Sequence, residues 1–168
     1  MSILNKKDCD KISAAIDAAH NSNVLMRHGC VAVMNGRIIT SGYNHYRTRS
    51  KNGLMTNTCT CHAECHVMHR LKNLCYDAQD FKKIKLYIVR INKKDELRSS
   101  APCVDCYNML VNHGVKRIVY STGNGFQKTL LKDFTPTQIT TGRHFLNGNY
   151  DKITDDKIKD DKIKDDKK

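Results

Sequence analysis

The segment PCVDCYNMLVNHGVKRIVY, residues 102–120, joins a predicted helix to a predicted strand. Pro102 favours the start of the helix because proline suits the first helical turn, and Gly114 favours its end. The apolar run KRIVY at 116–120 then predicts a buried strand. A helix that leads within a few residues into a strand is typical of an α/β layer fold.

The rest of the chain repeats this alternation. Apolar patterning predicts further strands over residues 30–33, 37–43 and 85–91, the first two joined by an Asn35-Gly36 hairpin turn. The same reasoning predicts helices over residues 6–20 and 62–74, and a short helix over 127–132. These elements indicate a central sheet covered by helices.

The C-terminal segment has a different character. The sequence DDKIK occurs at 155–159 and again at 160–164, so its isoleucines recur every five residues. That period matches neither a helix face nor a strand face, and we expect a disordered tail. The predicted organisation is one folded domain over residues 1–148, followed by a low-complexity Asp/Lys tail over 149–168.

The bulk composition restricts the class of protein. The chain has 168 residues, a formal net charge of +12 and eight cysteines. Because the sequence shows no secretory signal and no apolar run of the roughly 18 residues that a membrane span needs, we expect a cytoplasmic protein without a membrane partner. Its cysteines are then metal ligands or buried thiols. The excess positive charge lies in residues 1–150 and serves either solubility or a polyanionic or phosphorylated partner.

Two cysteines in the opening segment are suited to a metal ion. Cys103 and Cys106 are three residues apart at the start of a predicted helix, so we expect them to share one helix face. The helix N-terminus supplies positive dipole and free N–H groups. Both lower the pKa of a thiol and favour the thiolate that binds zinc.

A second motif, His62-Ala63-Glu64, also begins a predicted helix. His62 can supply a third ligand, and three protein ligands with one open position are typical of catalytic zinc. The open position holds water, whose pKa the metal lowers to about 7. Glu64 would lie beside that water and carry protons without binding the metal.

Over about residues 25–125 the chain resembles the cytidine and deoxycytidylate deaminase superfamily, whose signature combines His-x-Glu with Pro-Cys-x-x-Cys. The resemblance implies a three-layer α/β/α fold with a central mixed five-stranded sheet. It implies Zn²⁺ held by His62, Cys103 and Cys106, and hydrolytic deamination of a nucleobase with Glu64 as the proton shuttle.

The resemblance also suggests substrate contacts. Asn44, at the end of the stretch Ser41-Gly42-Tyr43-Asn44, matches an asparagine that typically contacts the substrate sugar in the family. An asparagine that ends a strand is often only a turn residue, and that alternative stays open. The backbone N–H of Ala63 would help to hold the base.

Several features are most similar to deoxycytidylate deaminases, which implies conversion of dCMP to dUMP and ammonia by a homo-oligomer. These features are the stretch Cys61 to Glu64, the Gly-Tyr-Asn stretch, the strand at 116–120 and an insertion before the zinc helix. Arg47, Arg49 and Lys51 in the insertion either bind the nucleotide phosphate or form a solvated loop. Tyr120 either stacks on the substrate or belongs to the core.

The sequence also departs from deoxycytidylate deaminases. Cys65-His66-Val67 follows the glutamate where they usually have x-Asn-Ala, and the lead-in Ser100-Ala101-Pro102-Cys103 is nearer to that of some nucleic-acid deaminases. The alternative substrate is therefore cytosine or adenine within RNA or DNA, which the positive charge would also serve.

Cysteines and histidines crowd around the zinc helix and suggest two further interpretations. Cys61, Cys65 and His69 are four residues apart, on one side of a helix, and either bind a second, structural zinc or are free thiols and a surface histidine. If the whole cluster were structural, the protein would be a zinc-bearing interaction module without catalysis. Glu64 argues against that, because a structural site has no use for a carboxylate beside an open metal position.

Overall fold

The computed structural model describes residues 5–51, 53–54, 59–140 and 143. The chain divides into two units after Gln138, and the architecture below belongs to the first of them. The predicted boundary at residue 148 and the predicted tail over 149–168 lie outside the described residues and stay predictions.

Helices and strands alternate along the described chain as the sequence predicts. The helices are α1 (Lys6–His20), α2 (Ala63–Asn73), α3 (Ala78–Phe81) and α4 (Val104–Asn112), with a 3₁₀ turn at Leu131–Asp133. The strands are β1 (Arg27–Met34), β2 (Arg37–Tyr43), β3 (Lys85–Ile91), β4 (Leu97–Arg98), β5 (Arg117–Thr122) and β6 (Gly125–Leu130).

The strands form one mixed sheet in the order β2-β1-β3-β5-β6, with the two-residue β4 paired to β3 outside this path. The β3–β5 pair is parallel, whereas β1–β2, β1–β3, β3–β4 and β5–β6 are antiparallel. The main path has the five strands that the resemblance implies, and β4 is a sixth strand of the described sheet.

The predicted helix over residues 127–132 is wrong. Most of this segment is β6, which pairs with β5 from Thr122↔Gly125 to Arg117↔Leu130, and only the 3₁₀ turn at Leu131–Asp133 is helical. Gly123 and Asn124 connect the two strands, and a two-residue connection rich in glycine and asparagine is a hairpin signal. Pairing to β5 therefore prevails over the weak helical pattern of this segment.

Helices cover both faces of the sheet, so the fold is the three-layer α/β/α arrangement. On one face α1 packs on the sheet through a core of Ile12, Ala15, Ala19, Val31, Val33, Tyr87, Val89, Ile91 and Val119. On the other face α2 and α4 pack on the strands around Cys30, Ala32, Val67, Met68, Leu71, Leu86, Ile88, Leu110, Ile118 and Tyr120. Burial of these apolar side chains is the main force that holds the layers together.

A buried carboxylate ties α1 to the sheet. Asp8 is 3% exposed, and its side chain also belongs to the capping box with Asn5 that starts the helix. The Tyr87 hydroxyl donates to Asp8 Oδ1 at 2.7 Å, and the Lys128 ammonium donates to Oδ2 at 2.6 Å. A single aspartate therefore joins α1, β3 and β6.

Candidate metal centre and active site

The two motifs begin the two helices that cover one face of the sheet. His62 is the N-cap residue of α2, and Cys103 is the N-cap residue of α4, both with extended backbone. The helix predicted to begin at Pro102 begins instead at Val104, so Cys103 is its N-cap residue and Cys106 lies in its first turn, with both sulfur atoms on the same side. Cys103 Sγ accepts from the backbone N–H of Cys106 at 3.5 Å, which is the hydrogen bond of an N-cap side chain.

Three potential metal ligands meet at this point. His62 Nδ1 lies 3.2 Å from Cys106 Sγ and 3.5 Å from Cys103 Sγ, and the three ligand atoms all lie within 4.8 Å of one another. Tetrahedral zinc with bonds of about 2.0–2.1 Å to nitrogen and 2.3 Å to sulfur separates such ligands by roughly 3.6 Å. The donor set and its spacing therefore fit a zinc ion with one position open.

One of the three groups, Cys103, is already biased toward the protonation state that binds metal, whereas His62 and Cys106 retain their protons. The pKa of Cys103 is lowered to about 4, mainly by hydrogen bonds from Cys106 and His62 that outweigh burial. Burial would lower the pKa of His62, but its interactions with Cys103 raise it to about 9. The pKa of Cys106 is raised by its hydrogen bond to Cys103 and by burial. One thiolate is thus preformed, and a dication would favour loss of the remaining protons.

Glu64 is buried in the first turn of α2, with 5% of its surface exposed. Burial raises the pKa of its carboxyl group, whereas the positive charge of His62 lowers it. Its side chain also makes a hydrogen bond with Cys106, so the carboxyl group lies beside the three ligands. A carboxylate with a raised pKa can both accept and return a proton near neutral pH.

The polar atoms of Asn44 are engaged by the protein itself. Its Oδ1 accepts from the backbone N–H of His28 and from the Ser22 hydroxyl, each at 2.7 Å, and its Nδ2 donates to the Met26 carbonyl at 2.7 Å. Asn44 is 6% exposed. In this structure the side chain clamps the segment 22–28 to the end of β2.

The remaining candidate residues differ in accessibility. Arg47, Arg49 and Lys51 are exposed on the loop after β2, and Arg47 Nε donates to the Arg49 carbonyl. Ala63 is fully buried, and its N–H lies at the open N-terminus of α2. Tyr120 belongs to the core beneath α2 and α4, where its ring packs edge-on against Phe134 at 5.7 Å.

Of the three candidates for a second zinc, Cys61 and Cys65 lie within hydrogen-bond reach of each other, but His69 does not join them. Within the part of the chain that the structure describes, His62, Cys103 and Cys106 form the one group of three or more close potential ligands. Cys65 Sγ instead donates to the Leu54 carbonyl, and His69 Nε2 contacts the Asn73 amide. None of the eight cysteines, all of which lie in the described part of the chain, takes part in a disulfide.

Sequence reasoning missed two residues on this face of the sheet. β1 begins at Arg27, earlier than predicted, and so includes His28. His28 pairs with Arg90 on β3, two residues along from the pair of Cys30 with the core residue Ile88. Burial and the charges of Arg90 and His62 together lower the pKa of His28 to about 4, against a hydrogen bond with the Met26 carbonyl that raises it. His28 and Arg90 therefore lie at the same end of the sheet as the metal ligands.

Three potential metal ligands at helix N-termini beside a buried carboxyl group are the arrangement expected of a hydrolytic deaminase. Residues 5–122 match the family model of the cytidine and deoxycytidylate deaminase zinc-binding region. The chain belongs to this family. No curated protein matches it significantly.

Two solved cytidine deaminases share the fold at low sequence identity. The cytidine deaminase of Burkholderia pseudomallei matches at a TM-score of 0.58 with 17% identity, over 81% of this chain and 100% of that one. The cytidine deaminase of Mycobacterium leprae matches at 0.52 with 21% identity, over 79% and 100%. The apo dCMP deaminase of cyanophage S-TIM5 matches at 0.49 with 21% identity, over 69% and 82%.

Among the described helices, none combines the length and the apolar character that crossing a bilayer requires.

Proposed function

We propose that the protein is a zinc-dependent cytosine-nucleotide deaminase that converts dCMP and water to dUMP and ammonia. The observation that carries this proposal is the convergence of His62, Cys103 and Cys106 beside the buried carboxyl group of Glu64. When bound, zinc would lower the pKa of a water molecule and so supply a nucleophile at neutral pH.

In this proposal the protein's own groups orient the base and move the protons. Glu64 takes a proton from the attacking water and passes it to the ring nitrogen N3 of cytosine. Glu64 then takes the second proton of the same water molecule, whose oxygen is now bonded to C4, and delivers it to the amino group at C4. This group leaves as ammonia when the C4–N bond breaks. The N–H of Ala63, free at the start of α2, donates to the base.

The loop after β2 supports a phosphate-bearing substrate. His45 and Cys61 form a β-bridge, with reciprocal backbone hydrogen bonds of 3.0 and 2.8 Å. This bridge holds the loop beside the residue that precedes His62. Arg47 and Arg49 are exposed on the same loop, and guanidinium groups bind phosphate through two parallel hydrogen bonds. The nucleotide is therefore preferred over the free nucleoside.

A nucleic-acid substrate is the second candidate, and one observation favours it. Tyr46 is 59% exposed directly beside Arg47, and an exposed aromatic ring next to cations is typical of single-strand binding surfaces. The substrate would then be cytosine or adenine within RNA or DNA.

The proposal is tested by ammonia release from dCMP, deoxycytidine and a structured RNA at equal zinc content. We expect release from dCMP to exceed release from deoxycytidine, and R47A/R49A to remove that difference. The matched control is R37A, since Arg37 is exposed at the opposite end of β2. Activity on RNA alone would contradict the nucleotide proposal. Zinc binding without activity on any of these substrates would favour the alternative that the protein is a zinc-bearing interaction module.

Two predictions about the protein's context accompany this function. We expect a homo-oligomer, and we expect a cytoplasmic location. Sedimentation analysis tests the first prediction and cell fractionation the second.

A further inference from the structure

Two buried serines, Ser100 and Ser121, lie where the sheet divides. Strand β3 pairs with β5 as far as Ile88↔Tyr120, and it pairs with β4 from Arg90↔Arg98 onward. β3 therefore changes its partner between Ile88 and Arg90. Ser100 and Ser121, 2% and 0% exposed, lie at this division.

Each serine hydroxyl is inserted between backbone groups of different strands. Ser100 Oγ accepts from the Ser121 N–H at 2.9 Å and donates to the Ile88 carbonyl at 2.8 Å. Ser121 Oγ accepts from the Arg90 N–H at 3.1 Å and donates to the Arg98 carbonyl at 2.6 Å. The backbone N–H of Ser100 also donates to the Ser121 carbonyl at 2.9 Å. The two hydroxyl oxygens also lie 2.9 Å apart, and together they satisfy buried backbone groups on both sides.

The serine pair is close in sequence to the first cysteine ligand. Residues 99–103 have no regular secondary structure, so the ladder of the sheet does not fix them. The segment is anchored on one side by Ser100 and on the other by Val104, whose N–H donates to the Gln138 carbonyl at 3.0 Å. Cys103 lies between these two anchors, and Pro102 has a restricted φ angle.

We infer that Ser100 and Ser121 are positioning residues of the metal centre: their hydroxyls hold the segment that carries Cys103 at the distance from His62 that a shared ion requires. The inference rests on the proposed zinc site. Without the Ser100 hydroxyl, the Ser121 N–H and the Ile88 carbonyl lose their common partner inside a dry interior. If the Ser121 N–H and the Ile88 carbonyl then paired directly, the space left by the hydroxyl would close and the segment that carries Cys103 would shift. Zinc coordination tolerates displacements of only a few tenths of an ångström.

Zinc release from the loaded protein to an excess of chelator tests the inference. We expect S100A and S121A to release zinc roughly 10- to 100-fold faster than the wild type, the range typical of lost supporting contacts around a metal. S100T retains the hydroxyl and should restore slow release. The matched control is V119A, which truncates a buried side chain of β5 on the face of the sheet that α1 covers. It should lower the melting temperature without altering zinc release.

Cobalt substitution gives a second readout that a loss of global stability does not move. The thiolate-to-cobalt absorption band should shift in S100A and S121A and stay unchanged in V119A. Suppose that the wild type binds zinc and deaminates, and that both serine variants show wild-type release rates and spectra. That result would overturn this inference and leave the proposed function intact. Failure of the wild type to bind zinc would overturn the proposed function instead.

Discussion

His62 Nδ1 lies 3.2 Å from Cys106 Sγ, although 44 residues separate the two in sequence. The contact exists because α2 and α4 pack on the same face of the sheet, with their N-termini at the same end. Both helices therefore direct the positive ends of their dipoles toward one point, where thiolates are stabilised. The ligand set and the reaction proposed for it depend on this packing.

The proton-shuttle role of Glu64 predicts a separation of metal binding from turnover. E64Q should bind zinc as the wild type does and lose about 10²- to 10⁴-fold in kcat, since the amide cannot accept a proton. Zinc analysis and ammonia release at saturating substrate measure the two effects. E96Q is the control because Glu96 is an exposed glutamate of the loop before β4. Turnover by E64Q near the wild-type rate would refute the assignment.

The hydrogen bonds of Asn44 predict a structural effect of its removal. N44A loses three side-chain hydrogen bonds to the segment 22–28, and we expect the free energy of unfolding to fall by about 2 kcal/mol. Chemical denaturation measures this change. A sugar contact alone would instead raise KM and leave stability unchanged, so that pattern would contradict the clamp.

The close contact of α1 with β1 predicts a severe effect at Gly29. A Cβ atom there would overlap the Ala15 carbonyl oxygen, whereas nothing lies within 4 Å of a Cβ at Gly123. We expect G29A to unfold with a loss above about 4 kcal/mol and G123A to melt with the wild type. Equal melting temperatures for G29A and the wild type would show that α1 packs elsewhere.

The buried Asp8 predicts a pH dependence of stability. Burial raises the pKa of this carboxyl group, but the hydrogen bonds from Lys128 and Tyr87 lower it from 3.8 to about 2. Because the folded-state pKa is the lower one, the carboxylate contributes on the order of 2 kcal/mol above the unfolded value, and this is lost as the pH falls toward 2. The stability difference between the wild type and D8N should therefore shrink between pH 7 and about pH 3. A constant difference would argue against the ionic contact.

The local patterns of the sequence predicted most of the architecture. Helix α1 has the predicted bounds of 6–20, and β2 and β3 have the predicted bounds of 37–43 and 85–91. These segments carry long apolar patterns that agree with their place in the sheet. β6 was missed because its conformation depends on pairing with β5, and the turn at Gly123 was not recognised.

The candidate site could be predicted only where its residues form a compact motif. The sequence shows that His62 is close to Glu64 and that Cys103 is close to Cys106. It does not show that these two motifs meet in the folded protein. The partners of Asn44 and the burial of Tyr120 arise from contacts across the fold. No local pattern marks Ser100 and Ser121, since their role depends on where the sheet divides.

The zinc content of the purified chain and of H62A tests the central claim most directly. The metal-centre account predicts about one zinc per chain for the wild type and a loss of most of it in H62A, with the helical content retained. A wild type that takes up no zinc, or an H62A variant that keeps a full equivalent, would contradict it.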